Sequence, residues 1–306
     1  MDRSPILGTR GSALALAQAH KVASALEVAN RWPANFIEIQ AITTSGDVIN
    51  DRPLADIGGK ALWTKELDRA LLEGEVDFCV HSMKDVETER PKNIRIAAVR
   101  PRGDMRERLI GAESIEALKQ GALVGTSSPR RKAQLLAMRP DLRIEPIRGN
   151  VETRLKKVEQ GDYDATLLSS AGLRRLGMPN VGTCIPVEVM LPAPTQAVIG
   201  IECRADDSTI QSILTIIDDG TTQAAVHAER AFVAALGGSC TSPVAALATV
   251  DHGRIRMQAQ LLSEDGRDQL RDEAEFECTD SDTPRQLARR MLERAPESIR
   301  TLFAGG

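Results

Sequence analysis

Along the first two-thirds of the chain, short apolar runs alternate with stretches whose apolar residues recur at helical spacing. That alternation predicts an α/β architecture. Val76, Phe78 and Val80 fit one strand and "RIEPI" another, ending at Arg148. In "GTSSPRRKAQLLAMRP" Ser128 suits an N-cap, Pro129 suits the first helical position and Pro140 stops the helix. The last third changes character. From about Thr222 a helix, "TQAAVHAERAFVAAL", precedes three strand-like runs, "AALATV", "RIRMQAQLL" and "QLRDEAEFE", separated by "DHG" and "SEDG". The alternation of Ile255, Met257, Ala259 and Leu261 reads as an antiparallel meander, with "PRQLARRMLERA" as a helix covering one face.

The α/β part contains an internal echo. "PILGTRGSALALAQ" and "ALVGTSSPRRKAQLLA" share an apolar strand, Gly-Thr, a serine and then a helix. "EGEVDFCVHSMKDV" and "QGDYDATLLSSAGL" share Gly-acid-x-Asp, an apolar strand and a serine at its end. The first copy carries an insertion that includes "TTSGDVINDRPLADIGGKAL". Two α/β halves enclosing a cleft are the plan of bilobal, periplasmic-binding-protein-like anion binders. Ligands there sit at strand C-terminal ends and helix N-termini.

Composition narrows the partners. Aromatic residues make up 3% of the 306 positions and the formal net charge is −4, which disfavours base-stacking platforms and a general nucleic-acid or anionic-membrane surface. The N-terminus lacks a basic region followed by a long apolar run, so a cytoplasmic protein is expected. The five cysteines are odd in number, widely spaced and never C-x-x-C, and the four histidines are scattered; neither a disulfide framework nor a metal site is expected. Nothing in the sequence demands more than a monomer.

The candidate chemistry is cationic. Thr126, Ser127 and Ser128 are explained by capping alone, but Arg130 and Arg131 would stand in the first turn of a helix, against its dipole. An anionic ligand would turn that cost into a gain. Arg10 and Ser12 occupy the related turn of the first half, and Arg148, Arg154, Arg174 and Arg175 add cations in "IRGNVETRLKK" and "AGLRRLG". Together they suggest a ligand with several carboxylates or phosphates. At the end of "VDFCV", His81, Ser82, Lys84 and Asp85 emerge together, and Asp85 is the odd negative group among cations, suited to holding N–H donors or a developing cation. Cys240, in "ALGGSCTSPVAAL", sits in a turn of small residues that leaves its sulfur approachable. A structural thiol, a metal ligand, a nucleophile and an attachment point are the possible roles, with the metal disfavoured.

Taken in order, "GTRGSALALAQ", "SGDVI", "GGKALWTKELDRALL", "HSMKD", "GTSSPRRKAQL", "IRGNVETRL", "AGLRRLG", "GIECR" and "GGSCTSP" resemble the porphobilinogen deaminase (hydroxymethylbilane synthase) family. The resemblance implies three domains: residues 1–99 with 198–217, residues 103–193, and a small α+β domain over 220–306. It implies a transferase of tetrapyrrole biosynthesis that condenses four porphobilinogen molecules head to tail, with loss of ammonia, on a dipyrromethane cofactor joined by a thioether to Cys240. Asp85 is then the catalytic acid. Lys84, Thr126, Ser127, Ser128, Arg130, Arg131 and Gly149 are implied to bind the cofactor, and Arg10, Ser12, Trp63, Arg148, Arg154, Arg175 and Gln196 the substrate. The sequence departs from the family pattern at Thr195 and Ala197, where glycines are usual, at Glu87 in place of proline, at Ala61 and Trp63 in place of Gly and Phe, and in "RGDMRERL". The competing reading is a bilobal anion-binding protein in which Cys240 is an ordinary thiol; it would need neither Asp85 nor Cys240.

Overall fold

The computed structural model describes residues 3–44, 63–238 and 242–303. Cys240, Ala61 and most of the expected insertion lie outside the described residues. The elements run β1 (Ile6–Arg10), α1 (Ala13–Asn30), β2 (Glu38–Ile42), α2 (Lys65–Leu72), β3 (Phe78–Ser82), a 3-10 turn (Met83–Asp85) and β4 (Ile94–Val99). Next come β5 (Glu107–Ile110), β6 (Leu123–Gly125), α3 (Pro129–Met138), β7 (Arg143–Glu145), α4 (Val151–Glu159), β8 (Ala165–Ser169), α5 (Ser170–Arg175) and β9 (Thr183–Ile185). β10 (Ile199–Arg204), α6 (Ser208–Thr215), α7 (Gly220–Leu236), β11 (Val244–Asp251), β12 (Arg254–Leu262), β13 (Gln269–Glu277), α8 (Thr283–Arg294) and α9 (Glu297–Arg300) complete the chain.

Two compact units divide these elements: the residues up to Gly103 with Ala197–Gln223, and Asp104–Gln196 with everything from Ala224. The first is built on a sheet of order β2-β1-β3-β10-β4, with β1 parallel to β2 and β3 and with β10 antiparallel to β3 and β4. The second contains a sheet of order β7-β6-β8-β5-β9 with the same directions: β6 is parallel to β7 and β8, and β5 is antiparallel to β8 and β9. The echo read from the sequence is therefore a repeat of topology, β1 and β3 corresponding to β6 and β8. In each sheet the antiparallel strand is the one delivered by a crossing of the chain between units, β10 after Gln196 and β5 after Gly103. The central strands β3, β8 and β10 are buried almost end to end, because helices cover both faces of such sheets.

The second unit also holds the expected meander, β11-β12-β13, with α7 and α8 supplying apolar side chains to one core. Ile255, Met257, Ala259 and Leu261 are all buried, as their alternation predicts, and meet Phe232, Leu287 and Met291. The first hairpin turns through His252 and Gly253, both with positive φ, which matches the right-handed twist of the paired strands. One strand is shorter than expected. β7 stops at Glu145, because Pro146 has no N–H for the ladder, so Arg148 stands in the loop before α4 rather than at a strand end.

The departures at Thr195 and Ala197 have a backbone consequence. Both residues adopt positive φ, 59° and 71°, a region that glycine enters freely and other residues at a cost of roughly 1–2 kcal/mol. Each is held by contacts inside its own unit. The Thr195 N–H donates to the buried Glu229 carboxylate, and the Ala197 carbonyl accepts from the Gly103 N–H at 3.2 Å. We expect Ala197→Gly to raise stability by about 0.5 kcal/mol, relief of strain being partly offset by the freer unfolded chain, and Ala197→Val to lower it by about 2 kcal/mol. Urea denaturation midpoints check this, and equal midpoints for the two variants would refute the strain.

Candidate functional site

In the first unit the sequence converges on one pocket. β1 ends at Arg10, and the Ser12 side chain caps α1 by accepting from the Ala15 N–H at 3.3 Å. β3 ends at Ser82 and passes directly into the 3-10 turn that carries Lys84 and Asp85. Gly200 on neighbouring β10 makes room for that turn: a Cβ there would lie 2.0 Å from the Met83 sulfur. Arg10, Ser12, Gln18, Trp63, Thr64, His81, Ser82 and Asp85 line a cavity of about 50 Å³. The Arg10 guanidinium lies over the Trp63 ring, 3.9 Å from its centroid, a cation–π contact that presents the cation flat. Gln18 Nε2 donates to Ser82 Oγ at 2.9 Å, joining α1 to the end of β3.

Of the residues expected to act, the structure thus brings together Arg10, Ser12, Trp63 and Asp85, with Lys84 half-buried on the same turn. Gln18 and Thr64 were not anticipated. Gln18 is the fully buried polar residue in a helix whose other buried positions are mostly apolar, and that exception was its signal.

Beneath the pocket lies a buried network. His81 Nε2 faces Glu202 Oε2 at 3.2 Å, and Arg90 donates to Glu202 at 2.8 Å through both Nε and a terminal nitrogen. Arg90 also reaches Asp68 at 2.5 Å and Glu87 at 2.7 Å. Burial pushes the Glu202 carboxyl up, but His81 and Arg90 outweigh it and hold the group at about 2. Burial likewise lowers Arg90 while its carboxylates raise it further, so its proton is held more tightly than usual. For Asp68 burial wins over Arg90 and the carboxyl titrates above its ordinary value. A glutamate in the buried middle of the strand "IGIECR", flanked by Ile201 and Cys203, was the sequence signal for this network.

In the second unit, Ser128 caps α3 by accepting from the Arg131 N–H at 3.4 Å, Thr126 Oγ1 accepts from the Ser128 N–H at 3.2 Å, and Ser127 Oγ donates to the Ile147 carbonyl at 2.9 Å. The two arginines of the first turn point inward to a carboxylate of the chain itself. Arg130 meets Glu107 at 2.5 Å, and Arg131 meets it twice, at 3.0 and 2.7 Å. Glu107 is fully buried, so the anion that the sequence assigned to a ligand is met here by a carboxylate of the chain itself. Burial still lowers Arg130, with Glu107 opposing and Arg131 adding to the shift.

Gly149 has φ +107°, and a Cβ there would come within 2.6 Å of Thr153, so the turn into α4 requires glycine. Arg154 Nε donates to the Gly149 carbonyl at 2.9 Å. Arg175 is half-buried at the end of α5, and burial pushes its guanidinium down to about 10. Gln196 is buried and donates to the Met105 carbonyl at 2.8 Å.

Residues 6–212 match the family model described as the dipyromethane cofactor binding domain of porphobilinogen deaminase, and residues 223–295 match that of its C-terminal domain. The chain belongs to the porphobilinogen deaminase family. It is 49% identical to the porphobilinogen deaminase of Sphingopyxis alaskensis, over 97% of this chain and 96% of that one. To the porphobilinogen deaminase of Nitrobacter hamburgensis it is 46% identical, over 98% and 96%. Among solved structures it is similar to a TRAP periplasmic solute binding protein from Desulfovibrio salexigens, with TM-score 0.40 and 10% identity over 71% of this chain and 73% of that one.

For this porphobilinogen deaminase family member the buried network sets an acid limit. Glu202 holds its charge in the folded state down to about 2, whereas an unfolded glutamate protonates near 4.5. Its contribution is therefore complete above about pH 4.5 and is lost as pH falls towards 2. Glu202→Gln should lower stability at pH 7 by about 3 kcal/mol, because Arg90 loses a buried partner, and should flatten the acid limb. Denaturation from pH 7 to pH 2 measures both; an unchanged acid limb would remove Glu202 as its origin.

Proposed function

We infer that the chain catalyses its family's reaction: stepwise condensation of four porphobilinogen molecules, with loss of one ammonia per unit, and hydrolytic release of the linear tetrapyrrole hydroxymethylbilane. The observation that carries this for the site is the placement of Asp85 in one pocket with Arg10, Ser12 and Trp63. Each pyrrole brings an acetate and a propionate, for which Arg10 and Ser12 offer charge-assisted and neutral donors, and Trp63 offers a ring face. At the reacting carbon a C–N bond breaks as ammonia leaves, a C–C bond forms to the preceding ring, and that ring's α-carbon loses its proton. Asp85 would accept the pyrrole N–H groups, stabilise the cationic carbon and take up the proton.

The dipyrromethane group, when bound, supplies the terminal pyrrole to which the first substrate unit is joined. The donor set of the second unit fits such a polycarboxylate: Thr126, Ser127 and Ser128 gather at the start of α3, and Arg148, Arg154 and Arg175 follow at the turns into α4 and out of α5. In this reading Lys84, Arg130, Arg131 and Gly149 also serve the cofactor, Gln196 serves the substrate, and Cys240 forms the thioether. The enzyme works as a cytoplasmic monomer of three domains; no described helix is long and apolar enough to cross a membrane.

Intact mass of the purified protein beside a Cys240→Ser variant tests the anchor. An excess of two condensed pyrrole units is expected in the parent alone, and a parent that stays bare after addition of porphobilinogen returns the chain to the anion-binding reading. Asp85→Asn should keep the fold by circular dichroism yet lower product formation by at least about a hundredfold. Near-parental turnover in that variant would remove Asp85 from its role.

A further inference from the structure

Thr64 stands at the N-cap of α2, where threonine ordinarily accepts from the first turn, yet its side chain makes no capping bond. Its hydroxyl donates instead to the Glu87 carboxylate, at 3.0 and 2.9 Å from the two oxygens. Thr64 is fully buried and Glu87 half-buried, so a hydroxyl meets a partly desolvated charge. Glu87 is itself held by Arg90 at 2.7 Å, and the same guanidinium grips Asp68, one turn further along α2, at 2.5 Å. The start of α2 is thereby fastened at two points, Thr64 and Asp68, to an arginine locked by Glu202 in the sheet. Immediately before Thr64 comes Trp63, whose ring carries the Arg10 guanidinium.

A helix start that forgoes its own cap to reach a partner across the fold breaks a local rule, and such exceptions gather where a site must be positioned. We propose that Glu87 is a positioning residue for the substrate pocket. Through Thr64 it fixes Trp63, and through Trp63 it fixes the orientation in which Arg10 meets a substrate carboxylate. Glu87 does not line the cavity, so it acts on the ground-state binding of the pyrrole acid rather than on proton transfer at Asp85. The inference rests on the reading of this pocket as the porphobilinogen site.

The chain has two tryptophans, so a Trp32→Phe background leaves Trp63 as the one reporter. In that holoenzyme, Thr64→Val and Glu87→Gln should each raise KM for porphobilinogen by about tenfold while kcat stays within about threefold, and should make Trp63 emission more easily quenched by acrylamide. Thr64→Ser and Glu87→Asp, which restore the hydroxyl and the charge, should recover both readouts. Parental KM and parental quenching in Thr64→Val and Glu87→Gln would overturn the proposal, as would a loss confined to kcat. A background enzyme that consumes no porphobilinogen overturns the functional reading and the substrate part of this one. Quenching that stays parental in an active enzyme overturns the clamp alone.

Discussion

Arg90 carries a charge into the interior of the first unit, and the carboxylate of Glu202 is what makes that burial tolerable. Removing a guanidinium from water costs several kcal/mol, which only close, well-directed carboxylates offset. Glu202 supplies two contacts at 2.8 Å from a strand in the middle of the sheet, and Asp68 and Glu87 complete the shell. Because the strand is fixed by its neighbours on both sides, the arginine is fixed as well. The start of α2 and the turn after β3 then inherit their positions from it.

The second unit repeats the device with different residues. Glu107 is fully buried on β5, which is the topological counterpart of β10, and it gathers Arg130 and Arg131 from the first turn of α3. In both units a glutamate on the strand delivered by the crossing of the chain engages arginine brought by another segment. Such a pair adds little to net stability compared with an apolar packing of the same volume. It does fix geometry, since either partner alone would be an unpaired buried charge. Anchored at Glu107, the α3 arginines have backbone and side-chain positions determined by the protein before any ligand arrives.

Much of this was legible along the chain. The strand-to-helix turns at Arg10 to Ser12 and at Thr126 to Pro129, the meander and its covering helix, and the echo between the two α/β halves all follow from caps, prolines, glycines and apolar periodicity. Those signals are local, and local sterics and hydrogen bonding act on residues a few positions apart. An anion for Arg130 and Arg131 was legible too, as a need, although a ligand was expected to meet it. Its identity was not, because Glu107 lies more than twenty positions earlier and only the pairing of β5 with β8 brings it to α3.

The sequence by itself determined the family, the architecture of the sheets and meander, and the residue types available for a polycarboxylate ligand, because these reside in motifs and periodicities that survive without coordinates. Only the tertiary structure decided which polar groups are spent on the protein: that Thr64 gives its hydroxyl to Glu87 rather than to its helix, that Glu202 meets Arg90 and His81, and that Thr195 and Ala197 hold a glycine-like backbone. Those outcomes depend on burial and on contacts between segments distant in the chain. A buried polar group must find whichever partner the packed fold places within reach.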